Sequence, residues 1–375
     1  MKALFTSLLV VFVPVLVWCQ SFDVVAKLPG VCAESSGLEV INENLFITHN
    51  DGGDDAKLYF IDSSGVVQRE IIVGQQQNTD WEDITLANDG RVFVGDFGNN
   101  GHNRKDLEII VLPDFNSWKT DTVNAEKITF RYADQSAFPP EASNRVFDCE
   151  AMAFYYDSLY LFSKNWSNPF TGMVKMYVVP ATPGDYVLSP QDSINLGVVK
   201  EIGWVTGADI NDSTLYLVGS ALVWKFQFQG RPSLQSMEQI SLNHFSQKEA
   251  ISYYKNDLYI TDESTGGYGN MYRYTKAKTN GATSLIKDNS CRIVQTQTDC
   301  HVLNPNGNSL KLNLYDLTGK MVSSSGPIKT EQIELKKYFP NSIISPGIYW
   351  LQGDQVSEIS VWGKIYISKG KGGCV

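Results

Sequence analysis

The chain has 375 residues, 43% of them hydrophobic, with 31 Lys and Arg against 41 Asp and Glu for a formal charge of -10. That length supports a large core without a disulfide framework, and the acidic balance excludes a nucleic-acid partner, whose phosphates require basic surface. Cations or neutral glycans suit it better.

Met1-Lys2 followed by the apolar run Ala3 to Trp18, with small or compact residues before Gln20, has the anatomy of a secretory signal peptide over residues 1–19. The mature chain is expected to start near Gln20, to reach the outside of the cell or its outer surface, and to hold no transmembrane segment, since no later stretch is long and apolar enough. Five cysteines then remain, an odd number in an oxidising compartment. Cys291 and Cys300 are spaced for a disulfide across a short polar loop. Cys32 with Cys149 is an alternative that needs two distant openings to meet, and Cys374 is left free.

From residue 20 to 287 one phrase recurs five times: a polar opening, an apolar strand, a turn, and a second strand ending in a polar cluster. It runs from Ser36-Gly37-Leu38 to His49-Asn50-Asp51, from Glu82-Asp83-Ile84 to Asp96, and from Glu150-Ala151-Met152 to Ser163-Lys164. It returns from Gly207-Ala208-Asp209 to Gly219-Ser220 and from Glu249-Ala250-Ile251 to Asp262-Glu263. Two further strand-like runs follow each phrase, ending with Thr283 to Ile286 in the fifth, and turn residues such as Asp89-Gly90 and Ser64-Gly65 bound them. Four strands per repeat make an all-β, five-bladed β-propeller. Phe22 to Leu28, ahead of the first repeat, would close the last blade or belong to a sixth, so six blades are the alternative.

Beyond Lys287 the composition turns to Ser, Thr, Asn, Gln and Lys. Residues 288–375 then read as a linker and a small β-sandwich, with runs at Val302 to Pro305, Leu310 to Lys320, Ile333 to Leu335, Pro346 to Leu351 and Lys364 to Ser368. Tyr315-Asp316, Gly319-Lys320 and Gly347-Ile348-Tyr349, in that order, resemble the C-terminal sorting domain of the type IX secretion system of Bacteroidetes. This resemblance implies export by the type IX machinery, followed by release or surface attachment. The region from Glu34 to Glu150, with Thr48-His49-Asn50-Asp51-Gly52-Gly53, Asp80-Trp81-Glu82-Asp83-Ile84, Gly95-Asp96-Phe97-Gly98-Asn99-Asn100 and Arg104, is similar to uncharacterised bacterial secreted propellers in the style of SdiA-regulated and esterase-like phytase propellers. That resemblance implies a fold and no particular activity.

Inner strands of a propeller begin, and second strands end, on one face of the disc. The repeats therefore gather Glu34, Glu82, Glu150 and Glu249 with Asp51, Asp96, Lys164 and Asp262 at one channel mouth. Crowded carboxylates must be protonated, hydrogen-bonded or bridged by a cation. Calcium accepts such ligands, with Glu82, Glu150, Glu249, Asp51, Asp96 and Asp262 as candidates. Hydrogen bonding that registers the blades is the competing use of the same acids. Asn50, Asn99, Asn100, Arg104 and Lys164 are candidate contacts to a small-molecule or glycan ligand. Trp81, Trp118, Trp166, Trp204 and Trp224 fall at or near blade openings and loops, where they would serve a glycan or else fill wedges between blades. His49 is a candidate general base, but no Gly-x-Ser-x-Gly elbow or His-Glu-x-x-His helix accompanies it. The expected function is ligand binding at an acidic mouth; the alternative is a calcium-dependent hydrolase of phosphoester, lactone or related ester substrates.

Overall fold

The constant spacing of the repeated phrase is the length of an antiparallel hairpin. Ser35 pairs with Asn50, Trp81 with Asp96, Asp148 with Lys164, Gly207 with Val218 and Lys248 with Asp262. The computed structural model describes residues 20–197, 200–263, 268–276, 292–295, 300–303, 309–315, 321–329, 332–338, 347–355 and 360–367.

Five sheets form the ring, so the count is five blades and not six. Their inner strands are Ser35–Asn42, Trp81–Leu86, Asp148–Tyr155, Gly207–Asn211 and Lys248–Tyr254, each neighbouring the next, with the fifth back against the first. The ring closes through the N-terminus: Gln20–Lys27 pairs antiparallel with Asn270–Lys276 as the outer strand of blade 5. It fills the place expected for Thr283 to Ile286, which lies outside the described residues. Two blades carry a fifth strand that the sequence did not suggest. Thr122–Asn124 runs parallel to Val67–Gly74, and Gly184–Leu188 runs parallel to Glu126–Tyr132.

The core is divided into interblade layers. Alternate residues of one strand face different neighbours: Ile110 and Leu112 pack with Ile47 and Leu58 of blade 1, whereas Ile109 and Val111 pack with Met152 and Leu161 of blade 3. Each blade is thus apolar on both faces, which explains runs such as Ile109 to Leu112, where four successive apolar residues are all buried. Trp81 and Trp224 are fully buried and Trp118 nearly so, fulfilling the wedge-filling role. Cys32 and Cys149 are free thiols buried in different layers, so the alternative disulfide does not form. Cys291 lies outside the described residues, as do residues 1–19 and 368–375.

C-terminal to the ring are two antiparallel sheets. One has Arg292–Gln295, Cys300–Leu303 and Gln332–Glu334; the other orders Met321–Ser324, Leu310–Tyr315, Gly347–Gln355 and Ser360–Ile367.

Candidate functional site: the channel mouth

Four of the five inner strands open with a register shift, between Ser35 and Gly37, Trp81 and Asp83, Cys149 and Ala151, and Lys248 and Ala250. The residues left without a cross-strand partner are Ser36, Glu82, Glu150 and Glu249. A bulge twists the strand and re-aims the extra side chain, so the three recurring glutamates are delivered to the mouth by the same local device. Blade 4 opens with Gly207-Ala208, has no shift, and supplies no acid there.

Ligand atoms of Asp51, Asp80 and Glu82 lie within 4.8 Å of one another. Asp51 stands at the end of blade 1's inner hairpin, while Asp80 and Glu82 flank the opening of blade 2. Asn78 fixes their separation: its Nδ2 donates to the carbonyl oxygens of Asn50 at 3.1 Å and Asp51 at 2.8 Å, and its Oδ1 accepts the Trp81 N–H at 3.0 Å. Gly52 and Gly98 wall the cluster, since a Cβ on Gly98 would collide with Glu82 and Asp80, and one on Gly52 with Asp80. Glu82 is 3% exposed. Among the described residues no N–H or O–H donates to the carboxylates of Asp80 or Glu82.

Burial raises the pKa of this group. Asp51 is pushed up to about 6, against the opposing hydrogen bond from the Gly52 N–H and with help from Glu150. Asp80 is pushed up to about 6 by burial and then by Asp51. Glu82 is held well above the usual range by burial, Glu150 and Asp51.

Beside it lies a second arrangement built on Lys164. Its Nζ is 2.9 Å from Glu150 Oε2 and sits 5.6 Å from the Trp166 ring and 5.1 Å from the Trp204 ring. Burial opposes the charge on Lys164, but Glu150, Glu249, Asp148 and Glu82 outweigh it and its pKa is raised. Glu150 Oε1 is buried with no N–H or O–H donor. Burial holds Glu150 well above the usual range, with Lys164 opposing the shift and Asp148 adding to it, and burial raises Asp148 as well. Asp148 accepts the Asn99 N–H at 2.6 Å and Trp166 Nε1 at 2.6 Å. Glu249 is pushed up to about 8 by burial, which outweighs Lys164.

The remaining expected residues divide by partner. Asp96 accepts Arg104 Nη2 at 2.8 Å and the backbone N–H of Thr79 and Asp80, so it shapes the loop that carries Asp80. Arg104 also donates to the Gly98 carbonyl at 2.9 Å, and Asn99 Oδ1 accepts the Arg104 N–H at 3.0 Å. These two brace the mouth; Asn100 is exposed. Asp262 accepts the Tyr272 hydroxyl at 2.6 Å and the Asn270 N–H at 2.8 Å within its own blade. His49 is fully buried, edge-on to Trp81, with Nδ1 on the Asn50 carbonyl and Nε2 without a partner; burial pushes its pKa down to about 4. Asn50 Nδ2 donates to the Val31 carbonyl at 2.8 Å and to Asp54, leaving its Oδ1 buried and unpartnered. A recess of about 550 Å³ lined by Glu34, Asn50, Gly52, Asp54, Lys57 and Tyr59 opens beside this corner.

Deeper in the ring, three other acids perform the registering role. Asp83 Oδ2 accepts the N–H of Met152 at 2.7 Å and of Ala208 at 3.2 Å, linking blade 2 to blades 3 and 4. Glu39 accepts the Leu86 N–H at 2.9 Å and the Ser252 hydroxyl at 3.2 Å, linking blade 1 to blades 2 and 5. Asp209 accepts the Tyr253 N–H, linking blade 4 to blade 5.

Fold and site together define a five-bladed β-propeller with a carboxylate-rich mouth in which Lys164 is paired with Glu150. No family model and no curated protein matches the chain. Among solved structures it is similar to the PQQ-bound aldose sugar dehydrogenase of Streptomyces coelicolor, at 10% identity and TM-score 0.42 over 68% of this chain and 98% of that one. It is also similar to glutaminyl cyclase of Myxococcus xanthus, at 9% identity and TM-score 0.41 over 69% and 98%. PorZ, an essential bacterial surface component of the type-IX secretion system of Porphyromonas gingivalis, is matched at 10% identity and TM-score 0.30 over 89% of this chain and 45% of PorZ. At such identities the likeness is one of fold alone.

Proposed function

We propose that this is a secreted or surface-attached propeller, exported by type IX secretion, that binds a divalent cation at Asp51, Asp80 and Glu82 and uses it to hold an oxygen-rich ligand in the adjoining recess. The observation that carries the cation is the contrast among the mouth acids. Among the described residues, Asp96, Asp148, Glu150 and Asp262 have protein partners, while Asp80 and the buried Glu82 have no N–H or O–H donor although their oxygens converge with that of Asp51. Calcium fits such a set, because it accepts carboxylates in loose geometry and fills its remaining positions from water or ligand. The export route rests on the motifs at Tyr315-Asp316, Gly319-Lys320 and Gly347-Ile348-Tyr349, of which 316–320 lie outside the described residues.

Hydrolysis would require a base beside the cation, either His49 or a carboxylate. His49 is sealed beneath Gly37 and Trp81, and the carboxylates at this corner are the ones proposed to ligate the ion, so binding is the reading we favour. Thermal melting with calcium and with chelator tests it: a hundredfold excess over Kd adds about 2.7 kcal/mol, and Asp80→Asn with Glu82→Gln should abolish the difference. An unchanged wild-type melting temperature in the two buffers refutes the site.

A further inference from the structure

On the face of the disc opposite the mouth, a cleft of about 460 Å³ lies between blades 3 and 4. Its floor and wall are aromatic. Tyr155 stands edge-on to Tyr156 at 4.5 Å and to Tyr160 at 6.3 Å, at the turn between Asp148–Tyr155 and Ser158–Lys164. Tyr156 is 72% exposed. Its φ of +53° belongs to the left-handed region, which favours Gly and Asn and penalises bulky side chains.

Comparison among the blades shows how unusual this ring is. The corresponding two-residue turn holds Glu43-Asn44 in blade 1, Asp212-Ser213 in blade 4 and Lys255-Asn256 in blade 5, with Asp212 at φ +51° and Lys255 at +48°. Three blades place polar residues there, as a solvated turn demands. Blade 3 shares the left-handed turn but fills it with an exposed aromatic ring at the lip of a cleft, a choice that folding alone does not favour.

The rim opposite the rings is polar. Asp157 and Gln191 come from blade 3, and Arg231 from the loop after Leu222–Gln227 of blade 4. Among the described residues, the Arg231 guanidinium has no carboxylate or carbonyl partner. The cleft therefore offers flat ring faces, a free fork of donors, and carboxylate and amide acceptors. Those are the complements of a sugar ring, which presents C–H surface on its faces and hydroxyls at its edge. Asp157 and Asp192 beside a single arginine, on a chain of formal charge -10, disfavour an acidic saccharide.

We propose that this cleft is a binding site for a short neutral oligosaccharide, with Tyr156 as the stacking platform and Arg231 as the hydroxyl donor. The site is independent of the cation at the mouth.

The experiment applies the mature secreted protein to a printed array of neutral oligosaccharides, followed by calorimetry with the strongest glycan retained. Tyr156→Asn is the informative variant, because Asn tolerates the positive φ and leaves the turn folded. Affinity should fall at least tenfold in Tyr156→Asn and in Arg231→Ala, with the melting temperature of Tyr156→Asn equal to or above wild type. Binding should persist in chelator. Retention of no neutral glycan, equal binding by Tyr156→Asn, or binding abolished by chelator alone would each overturn the assignment, and none of these results bears on whether calcium stabilises the mouth.

Discussion

Replacing Asp83 with Ala should be among the most damaging single changes in the propeller, although the residue lies at the centre of the ring and touches no ligand. Asp83 is 1% exposed. Its Oδ2 accepts the Met152 and Ala208 N–H groups from two other blades, and its Oδ1 accepts the Ile84 N–H at 2.9 Å. Alanine strands two inner-edge donors that no neighbouring strand can satisfy. An orphaned buried donor costs about 1–3 kcal/mol, so the loss should reach about 2–6 kcal/mol, against a total stability of about 5–15 kcal/mol for an ordinary domain. Relief of the buried carboxyl, whose pKa burial holds well above the usual range, offsets part of this. Asn keeps one oxygen. Turned toward Met152 and Ala208, it preserves both interblade bonds and loses only the local one, so Asp83→Asn should cost about 1–3 kcal/mol. Urea unfolding, with the m-value as a check on cooperativity, measures both variants. An Asp83→Ala protein within about 0.5 kcal/mol of wild type, or an Asn variant less stable than the Ala variant, refutes the idea that these acids sew the ring.

The same acids set a pH dependence. Glu39 is pushed up to about 8 by burial and by Asp209, and Asp209 to about 6 by burial, so both bind protons more tightly folded than unfolded. Their contribution is full below the unfolded values near about 4 and is lost as pH rises through about 6 and then about 8. Calcium-free stability should fall between pH 5 and 8, even though His49, buried neutral with its pKa near 4, pulls the other way. Glu39→Gln should flatten the profile by up to about 1.4 kcal/mol per pH unit, and an unaltered slope by chemical denaturation contradicts the assignment. Intact mass of the secreted protein checks the processing: it should begin at Gln20 and end near residue 287, and a freely soluble product that still carries residues 300–375 counts against removal of a sorting domain.

Much of the architecture was legible because hairpin length is written directly in residue spacing. The phrase from Glu82 to Asp96 and its counterparts already implied five inner hairpins converging on one mouth. What could not be read is tied to the bulges. Period-two alternation places Glu82 and Asp83 on opposite faces, whereas the register shift between Trp81 and Asp83 lets Glu82 reach the mouth while Asp83 crosses to Met152 and Ala208. Glu39 and Asp209 look like ordinary polar positions in amphipathic strands, and Asn78 and Asp80 like loop residues. Their roles depend on neighbours far away in sequence. Asp80 carried one signal, since it stands two residues before a repeated glutamate. Tyr156 carried another, an aromatic residue at a turn position where sister blades are polar.

The N-terminal strand that completes blade 5 has a kinetic consequence. Phe22 meets Tyr274 across roughly 250 residues, a closure whose chain entropy alone amounts to about 5 kcal/mol, recovered only after the intervening blades have stacked. Sealing the circle is therefore a late event on the folding path, as expected for contacts of such high order. Until it happens, Asn270–Lys276 presents an unpaired edge able to template another chain. At high concentration the same joint can be made by the corresponding strand of a second molecule, so this single seam governs both the rate at which the ring matures and its susceptibility to swapping.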